Sequence, residues 1–386
     1  MEQKKWGLQL THTTSNNKQD TAIKVLHLVE YLYLGGIETF LAELARILPR
    51  NLIKQSFFAY EMDEFSGVAR DMKENGEEVY IYKKSVGHDS RLLQVINHIV
   101  REQKINIIHT HDFGPVEYAV RLKLLNPKIK LIHTQHTLHH FINNFKYKTF
   151  FQFASYFYST ISVVSDHVSE MIKAHCKWMK RISIVINNGV DVDKYSSLTV
   201  QQSNKKILNL VTLSRISPEK NLIYILKVCH ILKSNNRDFI LHHAGSGPQS
   251  HVQKIFDYIR EYNLSDNIKM HGFIKDVREI LQLGDIFISS SKTEGHPIAV
   301  LEAMAAKRLC LCSDIPAHKD LCKNGIILFD IEDPYALSSQ LMTIQDNMEL
   351  YKNHVDISAS EVRIKYDIHQ MAKKYCDTYY TMCANV

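Results

Sequence analysis

The chain has 386 residues, 45% of them hydrophobic and 23% charged, with a formal net charge of +6. That length allows two domains with cores of their own, and the composition is that of a globular protein. No run of about 18 apolar residues occurs, which excludes a helix spanning a membrane, and the polar N-terminus has no secretory core. The seven cysteines show no C-x-x-C and no regular spacing, which fits buried free thiols in a reducing compartment. The charge is uneven. Residues 1–190 hold 24 Lys/Arg against 18 Asp/Glu, whereas the rest holds 23 of each. The basic excess between 121 and 186 suits an anionic surface or substrate, or else a solvated face.

Residues 1–22 are polar and are expected to be flexible. A first strand is predicted over Ile23–Val29, then Gly35-Gly36 in a loop. The amphipathic helix Ile37–Leu48 follows, with apolar residues at 37, 40, 41, 44, 47 and 48. Strands at Gln55–Tyr60, Val79–Tyr82, Ile105–Thr110, Lys130–Thr134 and Thr160–Val164 alternate with helices at Val68–Asn75, Leu92–Gln103, Val116–Leu125 and Tyr147–Ser159. This alternation argues for a parallel sheet covered on both faces. After the Ile182–Ile186 strand the polar stretch Ser196–Lys206 is the linker candidate. The pattern then restarts, with strands at Ile207–Leu213, Phe239–Ala244, Ile268–Gly272, Asp285–Ser290 and Leu309–Ser313. Its helices fall at Asn221–Ser234, His251–Tyr262, Val277–Leu283 and Pro297–Ala306, and a helical region begins near Pro334. The reading is α/β, with two tandem Rossmann-like doubly wound domains and a cleft between them. The divisions are 1–22, an N-terminal acceptor domain 23–195, a donor domain 196–365, and a helix in 366–386 packing back toward the first domain.

Three features fall at neighbouring strand ends of the second half. Arg215 and Lys220 follow the Ile207–Leu213 strand, where two cations suit a diphosphate. Gly245 and Gly247 follow Phe239–Ala244, where a missing side chain allows close approach. Glu294-Gly295-His296-Pro297-Ile298 joins a buried strand to a helix that carries Glu302. A strand, a loop and a helix N-terminus together favour an anion, and two carboxylates around it suit hydroxyls. A sugar nucleotide has both. Alternate histidines in His109-Thr-His111 and His133–His136 share strand faces as metal ligands do, but no carboxylate partners are evident. Asp191-Val-Asp193 imitates a metal-binding Asp-x-Asp, and a metal is not expected there. The aromatic, basic segment His139–Tyr158 fits either a lipid interface or a core helix. No nucleic-acid-binding module is present.

The chain resembles family-four glycosyltransferases of the GT-B fold. The resemblance rests on Ser214-Arg215 with Lys220, Gly245-Ser-Gly-Pro248, His271-Gly-Phe273, Glu294-Gly-His-Pro with Leu301-Glu-Ala-Met-Ala305, and Ser313-Asp314. In the first half it rests on Gly35-Gly36, His109-Thr-His111 and Asn188-Gly-Val-Asp191. It implies transfer of a sugar, hexosyl or N-acetylhexosaminyl, from a nucleotide-diphosphate donor with retention of configuration. The donor is expected to be a UDP-sugar, with no other cofactor. By position Arg215 and Lys220 neutralise the departing diphosphate and Glu302 holds the ribose. Glu294 and the amides near Gly295–Ile298 meet sugar or phosphate, Gly35 and Gly36 line the cleft, and His111 stands near the acceptor. A saccharide or lipid-linked saccharide acceptor in cell-surface polysaccharide synthesis is implied. So is a cytoplasmic location, with peripheral contact to the anionic inner face of a membrane. A sugar-nucleotide epimerase or hydrolase of the same fold, and a non-catalytic nucleotide-sugar-binding partner subunit, remain alternatives. The chain departs from the family at Lys307 and Leu309, where Gly and Pro are usual, and at His296, where an aromatic residue is usual.

Overall fold

The computed structural model describes residues 22–33, 35–87, 89–137, 144–176, 183–198 and 207–384. The segment before Ala22, much of the linker candidate and the first part of the aromatic run lie outside them. Two all-parallel sheets form. The first contains β1 (Ile23–Val29), β2 (Ile53–Ala59), β3 (Glu78–Ile81), β4 (Ile107–His111), β5 (Lys130–Gln135), β6 (Thr160–Val163) and β7 (Ser183–Val185), in the order β3-β2-β1-β4-β5-β6-β7. The second contains β8 (Leu208–Leu213), β9 (Phe239–Ala244), β10 (Ile268–Gly272), β11 (Ile286–Ser289), β12 (Leu309–Ser313) and β13 (Ile326–Phe329), in the order β10-β9-β8-β11-β12-β13. In each sheet the strand order reverses beside the first strand. Ligands of open α/β sheets bind outside the carboxyl ends at such a switch point.

Both faces of each sheet are covered, so strand residues alternate between two cores. In β1, Leu26 and Leu28 join one cluster. Val25 and Val29 join the other, together with Phe40, Leu41 and Leu44 of the Gly36–Ile47 helix. The last helix, Ile368–Ala384, buries Met371, Tyr375 and Tyr379 in that second cluster, although it follows the C-terminal sheet in sequence. The chain therefore crosses between domains twice, and the two crossings are pinned together. Val190 N–H donates to Tyr366 O at 2.9 Å, and Ile368 N–H donates to Val190 O at 3.0 Å.

Four elements escaped the sequence reading, the five-residue Val192–Ser196 helix among them. The Asp166–His175 helix carries β6 to β7, starts at Ser165 whose hydroxyl accepts from Val168 N–H, and buries only Val168, Ser169 and Ile172. Its apolar stripe is weak, but a parallel β6–β7 pair requires a crossover of this kind. The short Pro316–Lys319 helix and β13 were missed as well.

Candidate active site

The loops after β8, β9 and β10 are tied side by side. Ser214 N–H donates to Ala244 O, Ile216 N–H to Ser246 O, and Gly245 N–H to Gly272 O. A Cβ on Gly245, which has φ +141°, would lie 1.8 Å from Ser214 O, and one on Gly247 would lie 2.1 Å from Ile216 O. Both positions are glycine because the loop bearing Arg215 packs onto them. Arg215 itself is exposed and stands 3.7 Å from Glu219. Lys220 turns inward and contacts Glu294 at 2.5 Å. The same Glu294 oxygen accepts from Ser291 Oγ at 2.7 Å.

Glu294 leads into the Ile298–Ala305 helix, whose N-cap, Pro297, offers no side-chain acceptor. The first-turn amides therefore stay available to an anion. Glu302 lies on this helix, is 9% exposed, and accepts from the Tyr195 hydroxyl at 2.9 Å. Burial pushes its carboxyl up to about 7. The helix ends with Lys307 N–H bonded to Met304 O and Arg308 N–H bonded to Ala303 O. This is a Schellman closure, which places Lys307 at φ +56°, a conformation that glycine adopts without strain.

The N-terminal domain supplies the opposite wall. Gly35 caps the Gly36–Ile47 helix without a side-chain acceptor, so a second uncapped helix end enters the cleft. A Cβ on Gly36 would come within 4.0 Å of Ile298 Cδ1. Glu38 folds over Gly35. Burial raises its pKa, and Arg215 across the cleft lowers it. Gly295 meets the loop after β5 so closely that a Cβ would lie 1.9 Å from His136 O. Ser165 Oγ donates to Gly295 O, and Asn188 Nδ2 to His296 O. The donor loop is thus bolted to the first domain. Asp112, at φ +54°, accepts from His136 N–H, Thr137 N–H and Gln135 Nε2 and so shapes the 135–137 loop.

The structure gathers Gly35, Gly36, Arg215, Lys220, Gly245, Gly247, Glu294, Gly295, Pro297, Ile298 and Glu302 around the cleft, and it corrects two placements. His111 is 2% exposed with both ring nitrogens engaged, one by His27 at 3.0 Å and the other by His136 at 3.1 Å. It hydrogen-bonds the ring of His136, whose backbone carbonyl is the group that meets Gly295. Choosing between alternate histidines on adjacent strands needs the depth of each strand end, which spacing does not give. His296 turns its ring away onto Tyr366, at 5.1 Å between centroids, and meets the site through its backbone. Glu38, Tyr195, Asp112 and His136 were missed. Asp112 and Glu38 carried a signal, since acids that follow a strand or open a helix stand where ligands bind.

His27, His109 and His111 bring ring nitrogens within 4.8 Å of one another. The centroids of His27 and His111 are 5.3 Å apart, and the facing nitrogens are 3.0 Å apart. These rings meet end to end and share a proton, whereas zinc needs lone pairs converging on it at ~2.0–2.1 Å. Asp191 and Asp193 pair with different arginines, Arg46 at 2.6 Å and Arg363 at 3.1 Å.

Residues 34–194 match the family Glycosyltransferase Family 4, and residues 197–358 match Glycosyl transferases group 1. The chain is 27% identical over 217 residues to the UDP-Gal:alpha-D-GlcNAc-diphosphoundecaprenol alpha-1,3-galactosyltransferase of Escherichia coli, covering 52% of this chain and 54% of that protein. It is 21% identical over 314 residues to the putative glycosyltransferase EpsF of Bacillus subtilis, covering 77% of this chain and 80% of EpsF. The match therefore spans about half the length of the first relative. Among solved structures, Anabaena HepE in complex with UDP-glucose superposes with a TM-score of 0.81 at 16% identity, covering 93% of this chain and all of HepE. A glycosyltransferase from Rickettsia africae superposes with a TM-score of 0.79 at 18% identity, covering 95% of this chain and all of that one. At these identities the two superpositions establish the fold.

Proposed function

We infer the reaction from one premise: the chain belongs to glycosyltransferase family 4. It moves a hexosyl or N-acetylhexosaminyl group from a nucleotide-diphosphate sugar, a UDP-sugar in the first place, to a saccharide or lipid-linked saccharide, with retention. The E. coli relative acts on a diphosphoundecaprenol-linked sugar, which supports an acceptor of that class in cell-surface polysaccharide synthesis. The observation that carries this reading is the Lys220–Glu294 pair seated before an uncapped helix end, with a second uncapped helix end opposite. Breaking the glycosyl–phosphate bond builds negative charge on the leaving diphosphate. Arg215, Lys220 and the amides of Gly295–Ile298 meet that charge, and their help grows in the transition state. Lys220 and Arg215 supply this positive charge without a metal ion. Glu302, held on one oxygen by Tyr195, takes the ribose hydroxyls. Glu294 meets the transferred sugar, and His136, in place of His111, faces its hydroxyls or those of the acceptor.

The acceptor side also fits a membrane surface. Among the described residues no helix is long and apolar enough to cross a membrane. The Phe145–Ser155 helix buries Phe151 and Ala154 but leaves Phe145 and Phe153 exposed beside Lys146 and Lys148, with Tyr156 just beyond. The adjoining Val116–Leu125 helix adds exposed Leu124 and Leu125. Rings and lysines together suit an anionic lipid interface. On this reading the protein works at the cytoplasmic face of a membrane.

Incubating the enzyme with a panel of nucleotide sugars and a polyprenyl-diphosphate-linked saccharide tests the reaction. The expected result is acceptor-dependent release of the nucleoside diphosphate from one UDP-sugar. Release that ignores the acceptor would indicate a hydrolase. Lys146→Glu with Lys148→Glu should weaken binding to anionic liposomes, and unchanged binding removes the membrane face.

A further inference from the structure

The two residues that leave β11, Ser290 and Ser291, are each 2% exposed and serve different partners. Ser290 Oγ lies 3.0 Å from Lys220 O and 3.0 Å from Asn221 O. A carbonyl only accepts, so this hydroxyl donates to the main chain that carries Lys220. The same turn is tied to the β11 loop by Lys292 N–H, which donates to Glu219 O at 2.8 Å, and it closes at Asn221 with φ +55°. Ser291 Oγ instead donates to Glu294 Oε1 at 2.7 Å, the oxygen that Lys220 Nζ meets at 2.5 Å. One serine thus holds the backbone of the cation, and its neighbour holds the carboxylate.

Ser291 is itself braced from the next strand. β11 and β12 pair in parallel with Ser289 opposite Cys312, which sets Ser313 beside the start of the donor loop. Ser313 is fully buried and donates its hydroxyl hydrogen to Ser291 O at 2.5 Å. His318 Nδ1 lies 2.9 Å from Ser313 O and 3.1 Å from Ser313 Oγ. The carbonyl only accepts, and the hydroxyl has given its hydrogen to Ser291, so Nδ1 is the donor to both. Every hydrogen bond from His318 through Ser313 and Ser291 therefore has a fixed direction, and the line ends on the Glu294 carboxylate. The Glu294 side chain is 13% exposed, so water does not readily replace a donor lost from it.

Glu294 and a diphosphate compete for Lys220. On the transferase reading Lys220 gives its charge to the leaving diphosphate, and a cation shared with a second anion holds the first less firmly. A neutral hydroxyl does not follow the phosphate. We propose that Ser291 is a positioning residue for the transfer step, keeping the Glu294 carboxylate in place when Lys220 turns to the diphosphate. Ser313 supports Ser291, and Ser290 fixes the turn from which Lys220 reaches. The assignment rests on the transferase reading for the event that draws Lys220 away, but not for the brace itself.

Removing the cation without any ligand isolates the brace. In a crystal structure of the unliganded full chain with Lys220→Met, Glu294 should stay on Ser291 Oγ. In Lys220→Met with Ser291→Ala it should leave that place. A Glu294 that swings away in Lys220→Met alone overturns the proposal, and so does one that keeps its place in the double variant. In kinetics Ser291→Ala should lower kcat by about tenfold or more, while the affinity for UDP changes by less than about twofold, because UDP carries no sugar for Glu294 to meet. Ser313→Ala should lower kcat in the same sense by less, and an unchanged kcat there removes Ser313 from the brace. A loss of UDP affinity in step with kcat in Ser291→Ala marks a loosened fold and overturns the positioning role. If Glu294 keeps its place in Lys220→Met while the wild type turns over no nucleotide sugar, the transferase reading fails and the brace stands.

Discussion

Under the strand ends of the N-terminal sheet stand His27, His109, His111, His133 and His136, and burial lowers the pKa of each. At the corresponding ends of the C-terminal sheet stand Arg215, Glu219, Lys220 and Glu294, joined as ion pairs. The two sheets share a strand order through their first six strands. The same scaffold thus presents a neutral, hydrogen-bonding wall on one side and a charged wall on the other. A neutral wall discriminates by the direction of its donors and acceptors, and a charged wall by sign. A ligand with a row of hydroxyls and a diphosphate matches both at once. On the proposed function, one fold would grip the two ends of a nucleotide sugar differently.

The contrast can be broken most sharply at Lys220. Lys220→Ala should lower kcat by about 100- to 1000-fold with a much smaller change in KM, because charge on the leaving group grows in the transition state. Steady-state kinetics with the donor varied decides this, and a change confined to KM returns Lys220 to simple binding. On the neutral wall His109 bonds Tyr379 Oη and Thr134 Oγ1, each at 2.7 Å. His109→Phe takes the partner of the buried Tyr379 hydroxyl, while Thr134 keeps Ser162 and Tyr375, and should cost about 1–3 kcal/mol of stability, read by chemical denaturation, with kcat unchanged. A loss of kcat without a loss of stability would erase the division between the walls.

Glu302 sits on the charged side, yet burial keeps its carboxyl near 7. The proposed contact with ribose hydroxyls needs the ionised form, so donor affinity should fall as pH drops below about 7, by at most about tenfold per pH unit. The contribution of Glu302 to the stability of the empty enzyme runs the opposite way, and against that of the buried histidines, whose lowered pKa values favour the folded state as pH rises. An acid whose pKa is raised on folding stabilises the folded state at low pH, and that contribution is lost as pH climbs from the ordinary carboxylate range through about 7. Asp112, also pushed up to about 7, adds the same sign. Glu302→Gln should flatten the affinity profile and subtract the Glu302 part from the stability profile. Titrations and melts at several pH values check both. The smallest effect belongs to Lys307, whose left-handed backbone costs about 1–2 kcal/mol in an L-residue. Lys307→Gly should raise stability by about 1 kcal/mol in denaturant melts and leave kcat alone.

The sequence exposes the charged wall more readily than the neutral one. Arg215 and Lys220 lie seven residues or fewer from one strand, and Glu294 through Glu302 form one contiguous run, so local spacing already describes their geometry. The neutral wall is assembled from β1, β4, β5 and the loop after β5. Its members come together only through the registers His27↔His109 and Thr110↔His133 and the depth of each strand end. His111 therefore stood out by position, while it is the backbone carbonyl of His136 that meets Gly295. His296 misled in a related way, because a residue inside a motif can face either way and its ring turns to Tyr366. The strand alternation was legible from apolar patterning. The Asp166–His175 helix, with a thin stripe, was legible only through the rule that parallel neighbours need a crossover.

The central claim is that Arg215 and Lys220 hold a nucleoside diphosphate at the mouth between the two domains. Isothermal titration of UDP into the wild type and into the Arg215→Ala, Lys220→Ala double variant, both in excess EDTA, tests it directly. Saturable binding by the wild type and a loss of roughly 100-fold or more in the variant is the predicted result. Equal affinity for both proteins, or no binding by the wild type until a divalent ion is restored, would contradict it.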